Sequence, residues 1–390
     1  MQISALLWHV RDLTDQPIYL GCIGLARILP VIAFSLIGGA VADALNRRGI
    51  MLVTQACMAL LALGLGWLTL SGVVNLGWIY ALTALQAIAN AFDLPARQSL
   101  VPNLVPARDL PNAFSLNSIA FQTGTIVGPV LSGWIIKEWG QGYTYLINAA
   151  SFLAVILALL LMRGVSQHVR PAQANPRRLV SLEAIKEGVQ FIRKQPIILS
   201  TMLLDFFATF FSSANTLMPM VARDVLGVGV MEYSALNSAQ AIWAVSAALV
   251  ISQISHIRRQ GPVFLGSVVV FGFATIVFGL ARSIPLAMLA LILVGGADSV
   301  STIIRNTIRQ LATPDHIRGR MTSINQIFFM GGPQLGEVEA GVVAQFFGVP
   351  FAILSGGIGC LVAVAWVVGR WPQLKRFNGE EPALSSASAS

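Results

Sequence analysis

Apolar residues follow one another along this chain in stretches of about 20, from the first residue to about position 370, and the polar residues gather between them. Wound as a helix, such a stretch matches a bilayer core about 30 Å thick. Strict alternation, the mark of a lipid-facing β-strand, is missing from runs such as Met51 to Leu70 and Ala149 to Met162. In oil each backbone N–H and C=O has to be paired within its own segment, so the runs read as helices. Their edges predict helices at about 18–42, 50–70, 77–94, 110–136, 142–162, 196–220, 233–254, 261–280, 285–304, 318–346 and 350–370. A further apolar stub, Met1 to Val10, is too short to span, because ten residues of helix rise only about 15 Å.

With the stub as a partial helix 1, the pattern gives twelve helices in two groups of six: an N-terminal bundle over 1–162 and a C-terminal bundle over 196–370. Between them, 163–195 is polar and basic, with Leu182, Ile185, Val189 and Ile192 at helical spacing. That spacing predicts an amphipathic helix at the membrane surface, or equally a plain solvated linker. The Ser- and Ala-rich segment 371–390 reads as a disordered tail. The two groups repeat: a shift of 208 positions lays Arg97 on Arg305, Pro106 on Pro314, Asn117 on Asn325, Gly128 on Gly336 and Gly133 on Gly341. The fold class is therefore an all-α polytopic membrane protein of two pseudo-symmetric six-helix bundles, as in many secondary transporters.

Composition agrees. Hydrophobic residues make up 55% and charged residues only 11%, where soluble domains carry about 25% charged. The net charge of +8 does not mark a nucleic-acid binder, because 20 of the 25 Lys and Arg residues sit in or beside alternate connections. By the positive-inside rule those connections and the C-terminus are cytoplasmic. Cys22, Cys57 and Cys360 lie in apolar runs and read as small buried hydrophobes. His9, His168, His256 and His316 fall near helix ends or in connections and read as solvated. No metal-ligand spacing and no phosphate-binding loop is visible, so neither metal nor cofactor is expected, and no hydrolase elbow points to an enzyme.

Charges within the apolar runs are expensive and usually functional. Arg27 lies in helix 2, Asp205 in helix 7, Asp298 in helix 10, and Glu337 and Glu339 in helix 11. Two residues on a helix are about 200° apart, so the two glutamates face different ways. Asp205 has no cation near it in sequence, which makes it the first candidate for proton carriage. Asp298 reads as a helper at the inner gate. Phe206, Phe207, Phe210, Asn215, Gln240 and Trp243 are candidate cavity residues for an amphipathic substrate.

Three motifs carry a family resemblance. Gly39, Asp43, Asn46, Arg47 and Arg48 follow helix 2 at the spacing of the loop signature of the major facilitator superfamily, with Asn46 where a glycine is usual. In that signature Gly39 allows close helix approach, Asp43 faces a helix N-terminus, Arg47 and Arg48 hold the turn, and Asn46 tolerates left-handed backbone. Its second copy, Ile254 to Arg259, keeps Arg258 and Arg259 but has Ile254 in place of the acid. Gly124, Gly128, Pro129, Ser132 and Gly133 resemble the superfamily's antiporter signature, in which small residues let helices touch and proline bends one. The segments Gly24 to Pro30, Ala91 to Gln98 and Pro111 to Asn117 resemble the exporter family that includes the enterobactin exporter and macrolide efflux proteins.

That resemblance implies a proton-driven exporter of a siderophore or drug, monomeric, in the bacterial inner membrane. It also implies that helices 2 and 11 are neighbours, with Arg27 paired to Glu337 or Glu339. Against the family the chain looks shortened by part of helix 1, which leaves a non-transporting membrane protein as one alternative. A lysophospholipid transporter with a polar groove open sideways to lipid is another.

Overall fold

The computed structural model describes residues 1–100, 104–106, 109–162, 190–193, 195–253, 259–313 and 318–378. Among the described residues, twelve helices of two turns or more follow in order. They are α1 (Gln2–Leu13), α2 (Pro17–Ala44), α3 (Arg47–Leu70), α4 (Leu76–Leu100), α5 (Leu110–Trp139) and α6 (Gln141–Leu161). Then come α7 (Pro196–Phe211), α8 (Val230–Ser252), α9 (Gln260–Leu280), α10 (Ile284–Ala312), α11 (Arg318–Phe347) and α12 (Val349–Arg370). Among the described residues nine helical runs are long and apolar enough to cross a membrane. The protein is thus a multi-span membrane protein.

The chain divides into two compact units. One takes Met1–Val180 and Val228–Ser238, the other Ser181–Gly227 and Ala239–Ser390. Each is closed by the same device. In the first unit α3 crosses α6 glycine on glycine: a Cβ at Gly66 would lie 3.2 Å from the Gly142 carbonyl oxygen, and one at Gly142 would lie 3.4 Å from that of Gly66. In the second, α9 crosses α12 in the same way at Gly272 and Gly357, at 3.3 and 2.8 Å. Without a hydrophobic drive between helices in oil, backbone contact through small residues is the main source of packing energy. The internal repeat is therefore present in the packing as well as in the spelling.

The second unit's core joins Leu204 of α7, Phe264 and Val268 of α9, Ile304 and Ile308 of α10, and Cys360 and Val367 of α12. Leu374 and Phe377 belong to the same core. Residues Pro372–Arg376, expected in a disordered tail, form a turn instead, and the Gly261 N–H donates to the Phe377 carbonyl at 2.9 Å. Two apolar side chains spaced three apart were enough to dock a segment whose polar composition had suggested otherwise. The expected surface helix over 163–195 falls mostly outside the described residues.

Helix edges differ from the sequence reading where polar residues lie inside a helix. α4 runs on past Pro95 to Leu100, and α10 runs to Ala312, each ending well beyond its apolar run. α7 ends at Phe211, and after a short break the chain stays helical from Ala214 to Val225, as a 3₁₀ turn (Ala214–Leu217), an α turn (Met218–Met220) and a π turn (Val221–Val225). The thiols also differ: Cys360 is buried, Cys22 half-buried and Cys57 exposed on α3. His9 is buried rather than solvated, with Nδ1 3.2 Å from the hydroxyl of fully buried Tyr145.

Replacing Gly357 by alanine should overpack the α9–α12 crossing and destabilise the protein by about 1–3 kcal/mol. Gly331→Ala, at a position whose Cβ would meet nothing within 4 Å, should leave stability unchanged. Melting temperatures of the purified variants check this, and equal shifts would refute it.

Candidate functional site

Arg97 and Arg305 share one repeat position, and each stands beside a buried carboxylate. Arg97 near the end of α4 lies 3.7 Å from Asp93, one turn earlier. Asp93 is buried and also accepts from Thr54 Oγ1 at 2.9 Å and Gln55 Nε2 at 3.0 Å, both on α3. Arg305 on α10, the repeat mate of Arg97, is 2% exposed and pairs with Asp205 of α7, which is 5% exposed. Arg305 also donates to Thr302 Oγ1 at 3.3 Å and stands over the Phe329 ring, 5.9 Å from its centre. In a low dielectric neither charge is tolerable alone, and together they neutralise each other. Asp205 therefore does have a cation, one supplied by a helix about 100 positions away in sequence rather than by its own.

Sequence reasoning missed both Arg305 and Asp93. Arg305 was counted among the topology charges, although its alignment with Arg97 singled it out. Asp93 was read only as a motif letter, although it is a carboxylate inside an apolar helix one turn before an arginine. Asp298 is exposed on α10, two turns before Arg305 and on the same face. Arg27, Glu337 and Glu339 are each half-buried.

The turn between α2 and α3 shows why arginine is needed there. Arg47 donates to the Ala42 and Ser99 carbonyls, both at 3.3 Å, and so joins the ends of α2 and α4. Arg48 donates to the Leu159 and Leu160 carbonyls at 2.7 and 3.1 Å and closes the end of α6. The last carbonyls of a helix lack intrahelical partners and attract cations, and two guanidinium groups here serve three helices. Asn46 is not left-handed. It has φ −63° and caps α3, its side chain accepting from Gly49 N at 3.2 Å. Close approach occurs at Gly38 rather than Gly39: a Cβ at Gly38 would overlap the Ala91 carbonyl on α4, whereas one at Gly39 meets nothing within 4 Å. Asp43 lies in the last turn of α2.

In α5, helical through Pro129, a Cβ at Gly128 would lie 2.9 Å from the Met1 nitrogen, and Gly133 would overlap Ser234 in the first turn of α8. Gly124 is open. Gly336, the repeat mate of Gly128, meets the Phe210 backbone on α7 in the second unit. Of the cavity candidates, Phe206 and Phe210 stack at 6.0 Å, Phe328 of α11 stands edge-on to Phe206, and Phe207 packs edge-on to Trp366 of α12. Asn215 is exposed, Gln240 half-buried, and Trp243 lines an apolar groove of about 510 Å³ between α8, α9 and α10 of the second unit.

Two six-helix repeats, a basic turn tying helix ends together and paired charge within the membrane define a membrane transporter of the major facilitator type. Within that class the chain belongs to the transmembrane secretion effector family, whose model matches residues 1–385. The multidrug efflux pump Tap of Mycolicibacterium fortuitum is 26% identical over 369 residues, covering 90% of this chain and 87% of the pump. The enterobactin exporter EntS of Escherichia coli is 23% identical over 354 residues, covering 91% of this chain and 83% of the exporter. The fold is shared with a bacterial homolog of the human lysosomal transporter Spinster, inward-facing and occupied. That match has a TM-score of 0.75 and 14% identity, over 99% of this chain and 97% of that one. The inward-open xylose transporter XylE of E. coli aligns with a TM-score of 0.68 and 13% identity, over 94% and 92%. The family and these relatives are transporters rather than enzymes.

Asp205→Asn leaves the Arg305 charge uncompensated and should destabilise the protein by about 3–5 kcal/mol. Asp205→Leu combined with Arg305→Met should recover most of that loss. Thermal unfolding of the three variants checks it, and a double variant no better than the single would show that the pair is not the cause.

Proposed function

We propose that this protein is a secondary exporter, driven by protons, that moves an amphipathic small molecule out of the cell by alternating access between its two six-helix repeats. Its place is the bacterial inner membrane, with the basic connections and the C-terminus cytoplasmic, and it works as a monomer with the proton gradient as its energy source. The observation that carries the coupling is the buried Asp205–Arg305 pair. A proton on Asp205 cancels one charge of the pair and leaves Arg305 unneutralised in oil. That state favours any arrangement in which Arg305 meets another anion or water. Asp298, exposed two turns along α10, is the carboxylate best placed to hand protons on.

Arg27, Glu337 and Glu339 are proposed as the charges that exchange partners during the cycle. Gly39, Asp43, Arg47 and Arg48 form the gating turn, and Gly124, Gly128, Pro129 and Gly133 the bending seam of α5. Relatives named for multidrug efflux and enterobactin export support the outward direction. They also keep the substrate class at large amphipathic molecules, a siderophore or a macrolide-like drug, for which Phe206, Phe210, Asn215, Gln240 and Trp243 are the candidate contacts. The lysophospholipid reading called for a polar lateral groove, and the groove in the second unit is apolar.

The test is comparative mass spectrometry of spent medium from a deletion strain and its parent, with iron scarce and iron replete. A compound that leaves the medium and accumulates in deletion cells identifies the substrate. An iron chelator behaving so only when iron is scarce makes the substrate a siderophore. No difference in either condition would overturn export of an endogenous compound. In proteoliposomes loaded with the identified substrate, Asp205→Asn should abolish the response to an imposed pH gradient while substrate binding persists. Unchanged proton-driven export in that variant would remove Asp205 from the coupling.

A further inference from the structure

α3 and α9 hold the same place in the two repeats, yet they begin differently. α3 is capped by the residue before it, Asn46 accepting from Gly49 N at 3.2 Å through its side-chain oxygen. At α9 the capping position holds Arg259, whose guanidinium has donors but no acceptor. The acceptor comes instead from the far end of the chain: Gly261 N donates to the Phe377 carbonyl at 2.9 Å. Pro262, which follows, has no N–H to satisfy. The segment after α12 therefore supplies the cap that the α9 sequence lacks.

That segment is held at both ends. At its root, Trp371 N donates to Val367 O at 2.8 Å, and the Trp371 ring stands edge-on to Trp366 of α12, itself edge-on to Phe207 of α7. At its tip, Leu374 is fully buried and Phe377 is 4% exposed. Gly261 provides the notch, because a Cβ there would overlap the Leu374 carbonyl. Two costs at the same helix start oppose these gains. Arg259, at φ 62° and ψ 52°, is the one non-glycine residue with positive φ among the described residues, in a left-handed geometry that arginine rarely adopts. Gln260 is 8% exposed, and its Oε1 has no hydrogen-bond partner. A strained residue and an unpaired acceptor next to a small docked segment make that segment easier to lift than the helices around it.

We propose that the turn Pro372–Arg376, with Phe377, is a detachable cap on α9. Seated, it fixes the start of α9 to the end of α12. Lifted, it lets the first turn of α9 unwind and Arg259 leave the left-handed region. The root stays on Trp366 while the tip moves, so the cap returns to the same notch. The α9–α12 crossing at Gly272 and Gly357 lies further along both helices and does not depend on it. The device is separate from the Asp205–Arg305 pair and gives the ordered turn after α12 a purpose.

Hydrogen exchange of the purified full-length protein, read by mass spectrometry, tests it. In the wild type, residues 260–264 and 372–377 should open together, and faster than 268–278 in the middle of α9. Gly261→Ala puts a methyl group in the notch. It should speed exchange of both segments about fivefold or more, the worth of one helix cap, and open the chain to trypsin at Lys375 and Arg376. Adding Arg259→Asn gives α9 a cap of its own, and should restore slow exchange at 260–264 while 372–377 stays fast. A turn that only packs would leave both segments fast, and that result would overturn the capping role. Leu374→Ala with Phe377→Ala removes the seated side chains and spares the notch. It should act as Gly261→Ala does, and decides the matter if Gly261→Ala does not fold. Independent exchange of the two segments in the wild type, or wild-type exchange in these variants, would overturn the proposal.

Discussion

In oil a charge cannot stand by itself, and the interior of this protein is arranged around that requirement. Asp205 and Arg305, both nearly inaccessible, come from helices far apart in sequence and cancel each other in the core of the second unit. The first unit handles the matching arginine differently. Asp93, on the same helix as Arg97, is held by Thr54 and Gln55 from α3. One repeat position therefore has two solutions. The pair within one helix is partly open at Arg97, while the pair between helices is sealed. A sealed pair between two helices is the more sensitive to their relative movement, which is why the coupling proposal rests on the second unit.

The same medium explains the glycines and the arginines at the turns. Lipid tails are as apolar as leucine, so helices gain little by burying leucine against one another and more by bringing backbones together. Glycine stands on both sides of the α3–α6 and α9–α12 crossings. At the membrane surface the problem reverses, because carbonyls at helix ends need donors. Arg47 and Arg48 meet that need for α2, α4 and α6 at once, so their role goes well beyond fixing topology.

Motif letters proved a mixed guide to geometry. The loop signature placed Arg47 and Arg48 correctly at a helix junction, yet the backbone contact belongs to Gly38, one residue before the motif glycine. Asn46 replaces a glycine by capping a helix rather than by imitating its backbone angles. His9 looked solvated because it lies near the end of a short helix, but in the folded unit its ring sits against Tyr145, which is fully buried. In each case local spacing was readable, and the neighbour that gave the residue its environment was not.

The sequence by itself determined the helices, their number, the two-fold repeat and the membrane setting, because each follows from run length, spacing and charge placement along one strand of text. It also exposed the intramembrane charges, since any polar residue in such a run is conspicuous. The tertiary structure alone decided which charges meet. Whether Asp205 is an isolated acid or half of an ion pair depends on how α7 and α10 face each other, and helical spacing carries no information about a partner from another helix. Nor did composition show that Leu374 and Phe377 anchor a basic turn against α9. Burial energy of that kind exists only when the receiving surface, here Gly261 and its neighbours, has already been built.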